Sequence, residues 1–148
     1  MSKRSERLQI VIDLYRRQEQ EALQFLGRTQ QKLSEQQIQF EQLQKYRLEN
    51  QAGLAQQQAA GLTIMQFQEL RAFADKLDKA IAGQHTILLN YEQDLQRARK
   101  NWEESHHRTQ NMEKINAQAK TEELKAEHRR EQIEMDARAT RTQRKDGI

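Results

Sequence analysis

The chain has 148 residues, no proline, no cysteine and five glycines, and 32% of its residues are charged against 35% hydrophobic. This composition excludes a disulfide-stabilised scaffold and a large compact core, and no apolar run reaches the length of a membrane span. Abundant Gln, Glu, Ala, Leu and Arg favour long helices in an elongated molecule. The net charge of +3 mixes both signs, so charge alone implies neither a nucleic-acid nor a membrane partner.

A first helix is predicted over residues 5–52, with Ser2 and Ser5 as candidate N-caps. Along it, residues that can line a helix contact recur at alternating steps of three and four. This spacing is the 3.5-residue repeat with which one helix coils around another. The seam positions are Leu8, Ile12, Tyr15, Glu19, Ala22, Leu26, Thr29, Leu33, Gln36, Phe40 and Leu43.

A connection is predicted over residues 53–62, within NQAGLAQQQAAGL. Gly53 is expected to adopt the left-handed conformation that ends the first helix, and Gly61 supplies a second flexible point. Thr63 followed by Gln66 has the spacing of a capping box, in which each side chain accepts a hydrogen bond from the other residue's backbone. The second helix is therefore predicted to begin at Ile64.

The second helix is predicted over residues 64–143, and its seam is strongest between Phe67 and Trp102. A short connection places two such helices side by side and antiparallel. We therefore predict an all-α fold: a long two-helix antiparallel coiled-coil hairpin with an overhanging C-terminal helix, forming one elongated domain over residues 1–148. The second seam reads Phe67, Leu70, Ala74, Leu77, Ile81, Gln84, Leu88, Tyr91, Leu95, Ala98 and Trp102.

The predicted connection also fixes which seam residues should face each other. Phe40 is expected opposite Leu77, and Leu33 opposite Gln84. On this register the first helix ends opposite Thr109, beyond which the seam of the second helix is poorer and its charge denser.

Near the C-terminus, Arg138, Arg141 and Arg144 form a basic cluster. Such a cluster is a candidate for contact with phosphates or with an acidic protein surface. Because aromatic residues for base stacking are absent around it, no nucleic-acid partner is expected.

The sequence lacks the patterns that carry catalysis. It has no glycine-rich phosphate loop, no Ser/His/Asp order, no paired thiols and no HExxH motif. Glu103 and His107 stand four residues apart and are interpreted as a solvated ion pair. We therefore predict no enzymatic activity and no catalytic, cofactor or metal site. Because no signal-peptide core is present, the cytoplasm is the expected compartment.

Two aromatic residues fall beside the seam positions. Tyr46 and Phe73 both lie close to the predicted connection. They either flank the packed seam or form an exposed docking patch, since clustered exposed apolar surface commonly marks an interface.

The segments QFEQLQKYRLEN, residues 39–50, and FADKLDKAIAGQH, residues 73–85, resemble the turn region of the flagellar FliJ family. The two unequal helices and the glycine-containing connection also match that family. The resemblance implies a non-enzymatic stalk of the flagellar type III protein export apparatus. Its implied partners are a hexameric export ATPase (FliI-like), the cytosolic domain of the export gate (FlhA-like) and export chaperones, with peripheral association at the inner membrane.

The resemblance also implies binding residues. Asn50 stands where relatives often have Tyr, and Gln84 where some have His. The basic residues Arg138, Arg141 and Arg144 are expected at the ATPase. The positions that carry over to the export gate are Gln39, Leu43, Tyr46, Asn50, Phe73, Leu77, Ala80 and Gln84.

Three other functions fit the sequence. One is the equivalent stalk of a virulence type III secretion system, and another is a basic coiled-coil protein that binds nucleic acid. The third is a self-assembling coiled coil whose long helix pairs between chains.

Overall fold

The computed structural model describes residues 3–146, so Ser2, one of the candidate caps, lies outside the described residues. Helix α1 spans Arg4–Ala60 and helix α2 spans Ile64–Asp146, and the described range contains no strand. The two helices pack against each other as an antiparallel helical hairpin, which confirms the predicted fold class.

The turn lies further along the chain than the sequence predicted. Helix α1 continues through Gly53 to Ala60, and the connection is residues 61–63. Gly61 has the left-handed φ of 88°, and its N–H donates to Gln58 O at 3.3 Å. The predicted helix end at residue 52 and the connection over 53–62 are therefore wrong. The physical reason is that LAQQQAA consists of good helix formers, which outweigh the cost of about 1 kcal/mol for glycine inside a helix.

The predicted start of α2 agrees with the structure. Thr63 N–H donates to Gln66 Oε1 at 3.2 Å, and Gln66 N–H donates to Thr63 Oγ1 at 3.2 Å. This reciprocal pair is the capping box read from the sequence, and it satisfies backbone donors that the first helical turn leaves without partners.

The packing divides the chain into two units. The turn unit is Glu21–Trp102, and the terminal unit is Met1–Gln20 with Glu103–Ile148. The organisation as one domain stays a prediction.

The turn unit has a mainly apolar seam. At its centre Gln84 Nε2 donates to Gln36 O at 3.1 Å and to Gln36 Oε1 at 2.7 Å, so the buried amide is satisfied. At the surface Arg47 Nε donates to Asp78 Oδ1 at 2.6 Å. The buried residues are Thr29, Leu33, Ala74, Leu77, Gln84, Leu88 and Ala98, all of them predicted seam positions.

The pairing across this seam differs from the prediction. The ring of Phe40 lies 6.0 Å from that of His85, whereas Leu77 was expected there, and Gln84 meets Gln36 instead of Leu33. Because the turn lies later in the chain than predicted, each of these residues meets a later partner, by eight positions for Phe40 (77 to 85) and by three for Gln84 (33 to 36). Because the seam repeats with each heptad, the same side chains remain inside.

The terminal unit has a more polar seam. Ser5, Ile12, Thr109, Asn116 and Ala119 are buried. Helix α1 begins at Arg4, so Ser5 lies inside the helix and is not its cap. The Ser5 Oγ donates to Glu123 Oε2 at 2.6 Å.

The start of α1 therefore lies beside Glu123, further along α2 than the expected end of pairing at Thr109. Beyond Glu123, α2 is exposed from Leu124 to Lys145 except at half-buried Ala137. This stretch is the predicted overhang, and it begins later in the chain than expected.

Candidate partner-binding surfaces

The residues predicted to contact the export gate all lie in the turn unit, but they are not equally accessible. Gln39, Tyr46, Phe73 and Ala80 are exposed, and Leu43 and Asn50 are half-buried. Leu77 and Gln84 are each only 8% exposed.

Tyr46, Asn50 and Phe73 line one open groove of about 360 Å³. Tyr46 is 55% exposed and Phe73 is 51% exposed, so both rings present apolar area to solvent. The Nδ2 atom of Asn50 is buried without a hydrogen-bond partner among residues 3–146. The groove therefore combines two exposed aromatic rings with one unsatisfied amide donor. The remaining lining residues are Glu49, Gly53, Leu54, Gln57 and Leu70.

Leu77 and Gln84 are the two buried members of the predicted gate-contact set. Both lie inside the helix–helix seam, where Gln84 binds Gln36 of α1. A partner cannot reach these two side chains while the hairpin is closed. These two residues help to hold α2 against α1, the two helices that carry the exposed groove.

The basic cluster lies on the exposed end of α2. Arg138, Arg141 and Arg144 are all exposed, and their spacing of three residues places them on neighbouring positions of the helix surface. The hydroxyl groups of Thr140 and Thr142 donate to the carbonyl oxygens of Asp136 and Arg138, one turn back. These hydroxyls thus bond within the helix and leave the cations as the main polar groups of this surface.

Contacts across the terminal unit were not predicted from the sequence. Arg16 pairs with Glu113 at 2.9 Å, and the guanidinium of Arg108 lies 4.7 Å from the centre of the Tyr15 ring. Polar residues at seam positions, such as Glu19 and Asn116, could have indicated some of these contacts, because each needs a polar partner on the facing helix. Further pairs are Glu19 with His106 at 2.5 Å and Gln9 with Asn116 at 3.3 Å.

Glu123 accepts two hydrogen bonds at the first turn of α1. Its Oε2 accepts from Ser5 Oγ at 2.6 Å, and its Oε1 accepts from Ser5 N–H at 3.0 Å. The hydroxyl bond, and after it the backbone bond, hold the pKa of Glu123 below its ordinary value of 4.5, because both favour the ionised carboxylate. Lys3 and Lys120 add smaller effects in the same direction.

Within residues 3–146 no group of His, Asp and Glu side chains is arranged to hold a metal ion. Over the same range neither helix contains a stretch apolar enough, at sufficient length, to cross a bilayer.

The fold and these surfaces define a two-helix coiled-coil protein with an exposed aromatic groove on one unit and an exposed basic cluster on the other. The family model described as the flagellar FliJ protein matches residues 4–147. The chain therefore belongs to the FliJ family, whose members are components of the flagellar type III export apparatus. No curated protein and no solved structure gives a significant match.

Proposed function

We propose that this protein is the non-enzymatic stalk of a flagellar type III export apparatus. In this role the exposed groove of the turn unit contacts the cytosolic domain of an FlhA-like export gate. The C-terminal end of α2 enters a FliI-like hexameric export ATPase, and export chaperones bind as well. The protein acts in the cytoplasm, peripherally at the inner membrane. Family membership supports the proposal, and the observation that carries it is the exposure of Tyr46 and Phe73 on one groove.

The aromatic groove has the properties of a protein-binding surface. Large aromatic side chains at an interface bury much area at little entropic cost, and a few of them commonly supply most of the binding energy. Tyr46 and Phe73 belong to different helices, so the groove exists only when the hairpin is formed. Gate binding is therefore expected to require the folded turn unit.

The C-terminal end of α2 is positively charged, as expected for a segment that enters a pore of acidic surface. From Ala137 to Lys145 the segment carries Arg138, Arg141, Arg144 and Lys145 and no acidic residue. Exposed cations associate with an acidic surface mainly through charge complementarity, which also accelerates the encounter.

The test is to change each surface separately. The double substitution Tyr46→Ala/Phe73→Ala is expected to weaken binding to the gate domain by at least about 30-fold, since an aromatic hot-spot residue contributes about 2 kcal/mol or more. The same variant should still stimulate the ATPase. Binding is measured by calorimetry with the purified gate domain, and stimulation as the rate of ATP hydrolysis.

The matched control for the aromatic pair is Phe25→Ala, because Phe25 is 52% exposed and lies in the turn unit away from the groove. It should leave gate binding unchanged. If Phe25→Ala weakens gate binding as much as the double substitution does, the groove is not the contact.

The converse variant is Arg138→Glu/Arg141→Glu/Arg144→Glu. It should abolish ATPase stimulation and keep gate binding, because reversed charges repel an acidic pore. Its control reverses the exposed cations Arg97, Arg99 and Lys100 of the turn unit. Loss of the same binding event in both sets of variants would exclude a stalk with two separate partner surfaces.

A further inference from the structure

The seams of the two units differ in composition. Among the described residues of the terminal unit, the buried ones are the polar Ser5, Thr109 and Asn116 and the apolar Ile12 and Ala119. In the turn unit the buried set is mainly leucine and alanine. Because burial of apolar area is the main force that holds a coiled coil closed, the terminal unit is held less firmly.

One of these polar residues opposes closure directly. Asn116 is 3% exposed, and its Nδ2 donates to Gln9 Oε1 at 3.3 Å. Its Oδ1 is buried without a hydrogen-bond partner in the described part of the chain. A buried carbonyl oxygen regains its hydrogen bonds with water when the helices separate, so this atom favours the open state.

The remaining contacts in the terminal unit are polar or charged and bury little apolar area; they include Ser5 with Glu123, Glu19 with His106 and Arg16 with Glu113. The Arg16 and Glu113 side chains that form the surface ion pair are 55% and 42% exposed, and solvent screens such pairs. Once separated from α2, residues 4–20 of α1 lose their tertiary burial, which supplies most helical stability.

We infer that residues 4–20 of α1 form a clasp over residues 106–123 of α2, and that this clasp opens while the turn unit stays paired. Opening exposes a strip of α2 that the closed state hides, containing Thr109, Asn116 and Ala119. The proposed function does not require this motion, and the motion does not depend on any partner.

The absence of cysteine makes the opening measurable, because one introduced thiol reports on one site. Ala119→Cys places a thiol under the clasp, where the native residue is 3% exposed. Ala98→Cys is the matched control in the turn unit, where the native residue is 1% exposed. Each variant is labelled with a disulfide reagent under native conditions, and each rate is divided by the rate for the urea-unfolded protein.

The clasp predicts that Cys introduced at position 119 reacts at least about tenfold faster than Cys introduced at position 98. Low concentrations of urea should hardly change the rate at position 119, because local opening exposes little surface. They should raise the rate at position 98, which requires separation of the main seam. Equal rates that rise together with urea would overturn the inference.

A second substitution tests whether the polar residue Asn116 is what weakens the clasp. Adding Asn116→Leu to the Ala119→Cys variant removes the unsatisfied oxygen and adds apolar burial, so labelling should slow by at least about fivefold. Adding it to the Ala98→Cys variant should leave that rate unchanged. If Asn116→Leu does not slow labelling at position 119, the polar seam is not what weakens the clasp, and the inference fails.

Discussion

At the scale of single residues, the contact between Ser5 and Glu123 links the first turn of α1 to α2 through one carboxylate. The hydrogen bonds lower the pKa of Glu123 in the folded protein below its ordinary value of 4.5. Because the folded pKa is the lower one, the contact contributes its full stabilisation above pH 4.5. The contribution is lost as the pH falls through the lowered pKa.

We predict that Ser5→Ala raises the pKa of Glu123 towards 4.5, because the hydroxyl bond is the larger of the two causes. The pKa is measured by carboxyl NMR as a function of pH. The control is Thr121→Ala, because the Thr121 hydroxyl donates to Ala117 O within α2 and does not reach the carboxylate. An unchanged pKa in Ser5→Ala would show that the hydroxyl bond does not stabilise the ionised form in solution.

The residues predicted to contact the export gate differ in exposure. Tyr46 and Phe73 lie beside the seam positions, and the structure exposes both. Leu77 and Gln84 were assigned to the gate contact by resemblance, although the same sequence places them on the seam, and the structure buries them. For these two residues the periodicity was the better guide, because the seam face of a coiled coil is the face that the partner helix covers. The groove that Asn50 shares with Tyr46 and Phe73 depends on the register, which the sequence predicted wrongly.

At the scale of the helices, burial was predictable while pairing was not. The spacing of three and four determines which face of each helix is inside, so positions such as Leu33 and Leu88 were identified correctly. The pairing depends on where the turn falls, and both Gly53 and Gly61 were able to end α1. The choice depended on whether LAQQQAA remains helical, which is a matter of small propensity differences summed over several residues.

The same repeat predicts how the hairpin responds to shortening. Deleting Leu54–Ala60 removes one heptad, so the seam of α1 still faces α2. The Gln36–Gln84 contact is lost, because the two residues no longer lie opposite each other. Deleting the five residues Ala55–Ala59 rotates the seam by about 150° and turns it away from α2. We predict that the seven-residue deletion melts at the higher temperature, although it removes more of the chain.

Both deletions are compared with the parent protein by circular dichroism at 222 nm during heating. The five-residue deletion is the control for loss of helix length alone. A five-residue deletion that is as stable as the seven-residue one would mean that the seam phase does not hold the helices together.

At the scale of the whole chain, the amount of apolar burial changes along α2. It is greatest around Leu77–Leu95 and absent from Leu124 to Lys145 apart from half-buried Ala137. We predict that backbone amides in the second stretch exchange with solvent at least about 100-fold faster than those in the first, because tertiary burial supplies most helix stability. Hydrogen exchange followed by mass spectrometry measures both stretches in one experiment. Equal protection of the two stretches would mean that another interaction stabilises the end of α2.

The Gln36–Gln84 contact also bears on how the hairpin distinguishes its own helices from those of other proteins. A foreign helix that offered leucine in place of Gln36 would lose the side-chain hydrogen bond to Gln84, at a cost of about 0.5–1.5 kcal/mol. Mispairing with unrelated coiled coils is thereby penalised. A second copy of the same chain escapes the penalty, because its own Gln36 can accept the same hydrogen bond. Exchange of helices between two copies is therefore a misassembly that this contact does not prevent.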